Sequence, residues 1–211
     1  MICEATAHDL ERFRTVISQK IGLWFEDSKL GFLGEVLRRR LEKLQRGNDY
    51  IRDLEHTPPQ GEIAALAREL TVGETYFFRN IQQFRALAEV VLPERAGLHN
   101  MPKLLRLLSA GCASGEEPYS MAIVARETVA DPSWEIEIRA VDLNPTALEK
   151  AGRGRYSAWA LRETPADIRS KWFRADGHDF VLDDAVRASV KIGPANLAAM
   201  TRISGRRRIM M

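Results

Sequence analysis

Residues 111–115, Gly-Cys-Ala-Ser-Gly, follow the apolar run Leu104–Ser109 and precede a stretch of helical pattern from Tyr119 to Val129. Small side chains in such a loop let a ligand approach the backbone, and the start of the next helix offers N–H groups without partners. A second apolar run, Ile136–Val141, ends in Asp142, 27 residues beyond Gly115. A carboxylate at that strand tip can accept both hydroxyls of a ribose. The loop departs from a dinucleotide fingerprint because Ala113 replaces its middle glycine, and no Gly-Lys-Ser/Thr phosphate loop occurs. A nucleoside without phosphates, such as adenosylmethionine, suits the pair of features.

Two further clusters carry charge. In Glu116-Glu117-Pro118, Ser114 and Glu117 read as a capping box with Pro118 tolerated in the first turn. One carboxylate can also attract a sulfonium or ammonium, and the two readings are compatible. In the run Leu70–Asn80, Thr71 and Glu74 form a second capping-box pattern, so the spacing predicts a helix from about Val72. Thr75 and Arg79 then share one face, with Phe77 and Phe78 as apolar anchors. Blandly, this is a helix docked by its aromatics; functionally, Thr75 and Arg79 point into a site.

The elements that must hold these residues fall into two halves. Up to about Asn80, apolar residues recur at helical spacing (Leu10, Phe13, Ile17, Ile21; then Phe32/Leu33, Val36/Leu37, Leu41, Leu44), predicting a bundle of three or four short helices. From Met101 the order is strand, loop, helix, strand, loop, helix, which predicts a parallel sheet covered by helices. Asn144-Pro145 supplies an N-cap and first turn for the helix after Asp142. Thr164-Pro165 opens another, and Phe180–Leu182 with Val186–Ile192 reads as a hairpin across Asp183-Asp184. The fold class is therefore α/β, an N-terminal helical bundle over 1–80 followed by an incomplete Rossmann-like sheet over 81–211.

Composition adds little. The formal charge of +2 on 211 residues gives no global reason for a nucleic-acid or membrane partner. No run approaches the ~20 apolar residues of a membrane span, and no signal-peptide core stands at the N-terminus. Cys3 and Cys112 are too few and too distant for a disulfide framework or a zinc site. A reduced, cytoplasmic protein is expected.

The runs LTVGETYFFRN, LLSAGCASGEEPYSMAI and VDLNPTALEKAGRGRYSAWALR resemble the chemotaxis-receptor methyltransferases of the CheR type, in the right order and over most of Leu10 to Leu197. The resemblance implies a helical domain joined to an S-adenosylmethionine-dependent methyltransferase domain. It also implies methyl transfer to glutamates in the cytoplasmic helical region of methyl-accepting chemoreceptors, with S-adenosylhomocysteine as product. On that resemblance Thr75 and Arg79 line the donor site, with Gly111 in its loop. Glu117 contacts the methionine part, Asp142 holds the ribose, and Asn196 and Leu197 lie beside the adenine. Gly73 stands where some members have an Asn that touches the donor.

Arg79 is the candidate for orienting the substrate carboxylate. Arg38, Arg39 and Arg40, with Lys43, resemble the family's receptor-facing basic helix. Past Asn196-Leu197 family members continue into a central strand and an Asn-x-x-x-x-Tyr-Phe motif. Gly205–Met211 does not match, so a truncated chain is expected, its strand Leu104–Ser109 left as an exposed edge. The alternative is a non-catalytic homologue that binds a receptor or signalling partner. A nucleic-acid-binding reading rests only on Arg38–Arg40 and Arg206–Arg208, and Glu35 and Glu42 flank the first of these.

Overall fold

A computed structural model describes residues 6–45, 49–71, 73–97, 103–129 and 131–199. Their contacts gather into two compact units, one from the described parts of Met1–Thr71 and Asn196–Met211, the other from those of Val72–Ala195. The division falls before the segment 73–80, since Phe77 and Phe78 are buried in the core of the second unit. Arg206–Arg208 and the rest of the C-terminal run lie outside the described residues.

The first unit contains α1 (Ala7–Ile21), α2 (Leu30–Leu44), α3 (Asp49–His56) and α4 (Glu62–Leu70). Thr6 and Asp9 cap α1 reciprocally, and Gly22 ends it at φ +83°, its N–H reaching the Ile17 and Ser18 carbonyls. The apolar stripes bury Phe13, Val16 and Ile17 from α1, Leu33, Val36 and Leu37 from α2, Leu54 from α3 and Leu66 from α4. Each such side chain contributes roughly 1.5–3 kcal/mol by leaving water.

In the second unit α5 (Ile81–Ala86) runs through a π-helical turn into α6 (Leu92–Ala96). There follow β1 (Leu104–Ala110), α7 (Glu116–Thr128), β2 (Glu135–Asp142), α8 (Pro145–Arg153), β3 (Arg155–Ser157), α9 (Ala166–Trp172), β4 (Phe173–Asp176), β5 (Asp179–Leu182), α10 (Asp184–Ala188) and β6 (Val190–Pro194). The main sheet is parallel in the order β1-β2-β6, and a small antiparallel sheet has the order β3-β5-β4. Among the described residues β1 has one neighbour only, and Leu108 on it is 61% exposed.

Two expectations fail. Residues 73–80 are irregular chain and turn, not helix. Phe78 and Asn80 sit at φ +59° and +61°, which a helix excludes. The Phe77 and Phe78 N–H groups instead donate outside any helical ladder, to the Ala160 carbonyl and to Ser120 Oγ. The hairpin across Asp183-Asp184 is also absent. Asp183 caps α10 by accepting from the Ala185 and Val186 N–H groups, and β6 then joins the main sheet beside β2. The hairpin lies one element earlier, β4 to β5, across Gly177.

Candidate active site

Two groups at the end of β2, a carbonyl and a carboxylate, hold the loop after β1. The Val141 carbonyl accepts from both Gly111 and Cys112 N–H groups, at 2.8 and 3.0 Å. Asp142 accepts from Ala113 N at 2.8 Å through one oxygen and from Asn144 N at 2.7 Å through the other. Ala113 is thereby kept at φ +45°, an uncommon conformation for a residue with a side chain. Gly115 has no alternative: at φ +94°, an added Cβ would lie 2.8 Å from Ala151 Cβ and 2.9 Å from Tyr119 Cε2.

The first turn of α7 separates two neighbouring acids. Glu117 is exposed, and its Oε1 accepts from the Ser109 hydroxyl at 2.6 Å. Glu116 is buried, and the Ser114 hydroxyl sits 2.8 and 3.0 Å from its two oxygens. The capping box expected between Ser114 and Glu117 is therefore not formed. Gly115 occupies the cap, and Ser114 serves Glu116 instead. Burial raises the Glu116 carboxyl above the ordinary range, with the Ser114 hydrogen bond and Lys150 opposing.

Segment 73–80 faces this loop. Phe77 N donates to the Ala160 carbonyl and Phe78 N to Ser120 Oγ, while the Phe77 ring packs edge-on against Tyr156 and Phe173 at 4.7 and 4.9 Å. With those rings inside, Thr75, Tyr76 and Arg79 are left on the open side. Arg79 is exposed, and its Nη1 donates to the Glu74 carbonyl at 2.7 Å. A cleft of about 270 Å³ results, lined on one wall by residues of 73–84, including Thr75, Tyr76, Arg79 and Gln83, and on the other by Gly111, Cys112, Ala113 and Glu117. It opens at the C-terminal end of β1, where open parallel sheets bind ligands.

Of the expected donor-site residues, Thr75, Arg79, Gly111 and Glu117 thus share one cleft. Asp142 stands behind its wall and fixes Ala113. Asn196 and Leu197 fall in the other unit, where Asn196 Nδ2 donates to the Lys20 carbonyl at 2.6 Å. Tyr76 and Gln83 line it without having been singled out, although Tyr76 stands beside Thr75 in the same quoted run. Burial, seconded by Asp142, pushes the Cys112 thiol up to about 12, so it stays protonated and is no nucleophile at neutral pH. Among the described residues no group of three His, Cys, Asp or Glu could hold a metal ion.

The basic run on α2 does not stand free. Arg40 is 5% exposed, and its Nε donates to Glu62 at 2.8 Å, an acid that also accepts from the Tyr50 hydroxyl. Arg40 is thus part of the interior, which corrects its expected place on a docking face. Arg38 bridges Glu35 and Glu42 at 2.9 and 2.7 Å, and Arg39 meets Glu69 at 3.0 Å. Lys43 is exposed in the last turn.

Residues 73–207 match the family described as CheR methyltransferase, SAM binding domain. The chain is 37% identical over 202 residues to chemotaxis protein methyltransferase 2 of Vibrio cholerae, covering 91% of this chain and 68% of that protein. It is 29% identical over 189 residues to the probable biofilm formation methyltransferase WspC of Pseudomonas aeruginosa, covering 89% and 44%. To the chemotaxis protein methyltransferase of Escherichia coli it is 31% identical over 169 residues, covering 79% and 57%.

Proposed function

The chain belongs to the CheR methyltransferase family, with S-adenosylmethionine as methyl donor, and we propose that it methylates glutamate side chains in the cytoplasmic helical region of methyl-accepting chemoreceptors. The observation that carries this reading is the cleft itself, which gathers Thr75, Arg79, Gly111 and Glu117 inside the matched segment. Two relatives are chemotaxis protein methyltransferases, which supports a chemoreceptor substrate.

The residues suit a cationic nucleoside. Glu117 offers a carboxylate at the wall with only Oε1 engaged by a hydroxyl, and its charge attracts an ammonium or sulfonium. Open space lies where a Gly111 Cβ would project, so the backbone can be approached closely. The same holds at Gly73, on the opposite wall. Asp142 keeps lone pairs beyond the two that take Ala113 and Asn144, enough to accept a ribose hydroxyl.

When bound, the donor supplies a methyl group activated on a sulfonium. A glutamate is already ionised at neutral pH, so the chain need not supply a strong general base. What it must supply is position. Arg79 has its Nη1 committed to the Glu74 carbonyl, and the remaining edge of its guanidinium can take a carboxylate in two parallel hydrogen bonds. Holding that oxygen in line with the methyl group converts a bimolecular encounter into an intramolecular step.

Calorimetric titration with S-adenosylhomocysteine tests this first. Binding by the wild-type chain, lost in Asp142→Ala, is the expected result, followed by transfer of labelled methyl to a chemoreceptor cytoplasmic fragment. A folded wild-type chain that binds no S-adenosylhomocysteine sinks the donor-site reading.

A further inference from the structure

Arg162 follows the 3-10 turn Ala158–Leu161 in the second unit. Its guanidinium carbon lies 3.7 Å from the centroid of the Tyr76 ring and 4.3 Å from that of Trp159. Tyr76 lines the cleft, and the Arg79 guanidinium lies 5.9 Å from the same ring. Two cationic groups therefore share one aromatic side chain at the cleft wall. Trp159 is 71% exposed, the largest such value among the exposed apolar side chains described.

The contacts of Arg162 leave its charge available. Its Nη1 donates to the Trp159 carbonyl at 2.8 Å, and no carboxylate among the described residues pairs with it, although Glu163 is its neighbour in sequence. A guanidinium has five N–H donors in a planar fork. With rings against its faces, the in-plane N–H groups still project outward, in the arrangement that receives a carboxylate bidentately. Stacking also restricts the side chain in advance, so less rotamer freedom is lost on binding. Arg and Trp are the residue types over-represented where binding energy concentrates at interfaces.

We propose that Arg162, clasped by Tyr76 and Trp159, is the docking point for an acidic side chain of the polypeptide substrate, setting a second carboxylate beside the one that enters the cleft. This rests on the methyl-transfer reading above. The occupant is fixed by charge complementarity: a positive, aromatic shelf adjoins a cleft whose own substrate group is anionic, so an acidic protein segment fits it.

The test uses the whole chain and four variants, Arg162→Gln, Arg162→Lys, Trp159→Ala and Arg38→Gln. Each is titrated with S-adenosylhomocysteine and, separately, with a purified chemoreceptor cytoplasmic fragment. The expected result is a roughly tenfold loss of fragment affinity in Arg162→Gln, with a smaller loss in Trp159→Ala and partial recovery in Arg162→Lys. S-adenosylhomocysteine affinity and the melting curve stay at wild-type values. Unchanged fragment affinity in Arg162→Gln overturns the proposal, as does an equal loss in Arg38→Gln, which would reveal a general charge effect. Loss of S-adenosylhomocysteine binding in Arg162→Gln would move the residue into the donor site and overturn it too. Tighter capture of an RNA oligonucleotide than of the fragment, abolished by the same variant, would assign the shelf to nucleic acid instead. A wild-type chain that binds fragment but no S-adenosylhomocysteine would sink the donor site and leave this shelf standing.

Discussion

Arginines on α2 and arginines at the cleft are the same side chain put to opposite uses. On α2, Arg38, Arg39 and Arg40 each meet acids of their own unit: Glu35 and Glu42, Glu69, and Glu62. At the cleft, Arg79 and Arg162 donate to backbone carbonyls and lie over the Tyr76 ring. A carboxylate within 4 Å cancels the field that a distant acidic partner would feel. A ring does not, and its negative face holds the cation in place with the charge intact. The count of positive residues is thus a poor guide to where an acidic substrate docks; the acids within reach in space decide it.

The largest effect expected from this contrast is on folding. Arg40→Ala leaves Glu62 buried with the Tyr50 hydroxyl as its remaining close partner, and removing one member of a buried pair costs about 3 kcal/mol or more. Denaturant melts of the variant should show the loss, and a wild-type midpoint would mean that Arg40 is not part of the interior. Arg79→Gln should do the reverse. Its side chain is exposed, so the melt stays unchanged, while methyl transfer to a chemoreceptor cytoplasmic fragment falls about tenfold with the lost charge-assisted contact.

Much of this was legible in the sequence where local chemistry and tertiary demand agree. The strand-loop-helix order, the Asn144-Pro145 helix start and the amphipathic stripes of α1 and α2 all appear where the spacing puts them. Thr75, Arg79, Gly111 and Glu117 line one cleft. Tertiary packing overrode the local signal elsewhere. The Thr71–Glu74 pattern invites a helix, yet Phe77 and Phe78 enter the core with their N–H groups bonded to Ala160 and Ser120, far away in sequence. The alternation from Val186 to Ile192 mimics one strand, but Asp183 caps a helical turn inside it. Arg38–Arg40 reads as a docking face because Glu62 and Glu69 are distant in sequence and adjacent in space. The shelf at Arg162 was illegible for the same reason, since Tyr76 comes from a segment more than eighty residues earlier.

Carboxylates sharpen the contrast. Glu62 is buried against a cation, whereas Glu116 is buried against the Ser114 hydroxyl, with Lys150 and the Tyr156 hydroxyl facing it from α8 and β3. Burial raises the Glu116 carboxyl, so folding disfavours its charged form. Stability is then lost as pH climbs from the ordinary carboxylate range through the raised value. Glu116→Gln removes the titrating group. It should raise the melting temperature relative to wild type at pH 7, and the gain should vanish near pH 3.5, below the ordinary carboxylate value of about 4.3. An identical difference at both pH values would show that the native carboxyl is not raised.

The smallest expected effect is the one that probes the contrast most directly. If acids at i−3 and i+4 silence Arg38, then Glu35→Gln with Glu42→Gln should release its guanidinium without touching the core, since both glutamates are exposed. Exposed pairs of this kind contribute little to stability, so the melt should hold. The freed charge should raise affinity for a chemoreceptor cytoplasmic fragment by a few-fold at low salt, and the gain should disappear at high salt as screening sets in. No gain at low salt would mean that pairing is not what keeps α2 from binding. The difference between the two arginine sets would then lie in the aromatic rings at the cleft, which hold the guanidinium in a fixed orientation that a solvated helix face does not provide.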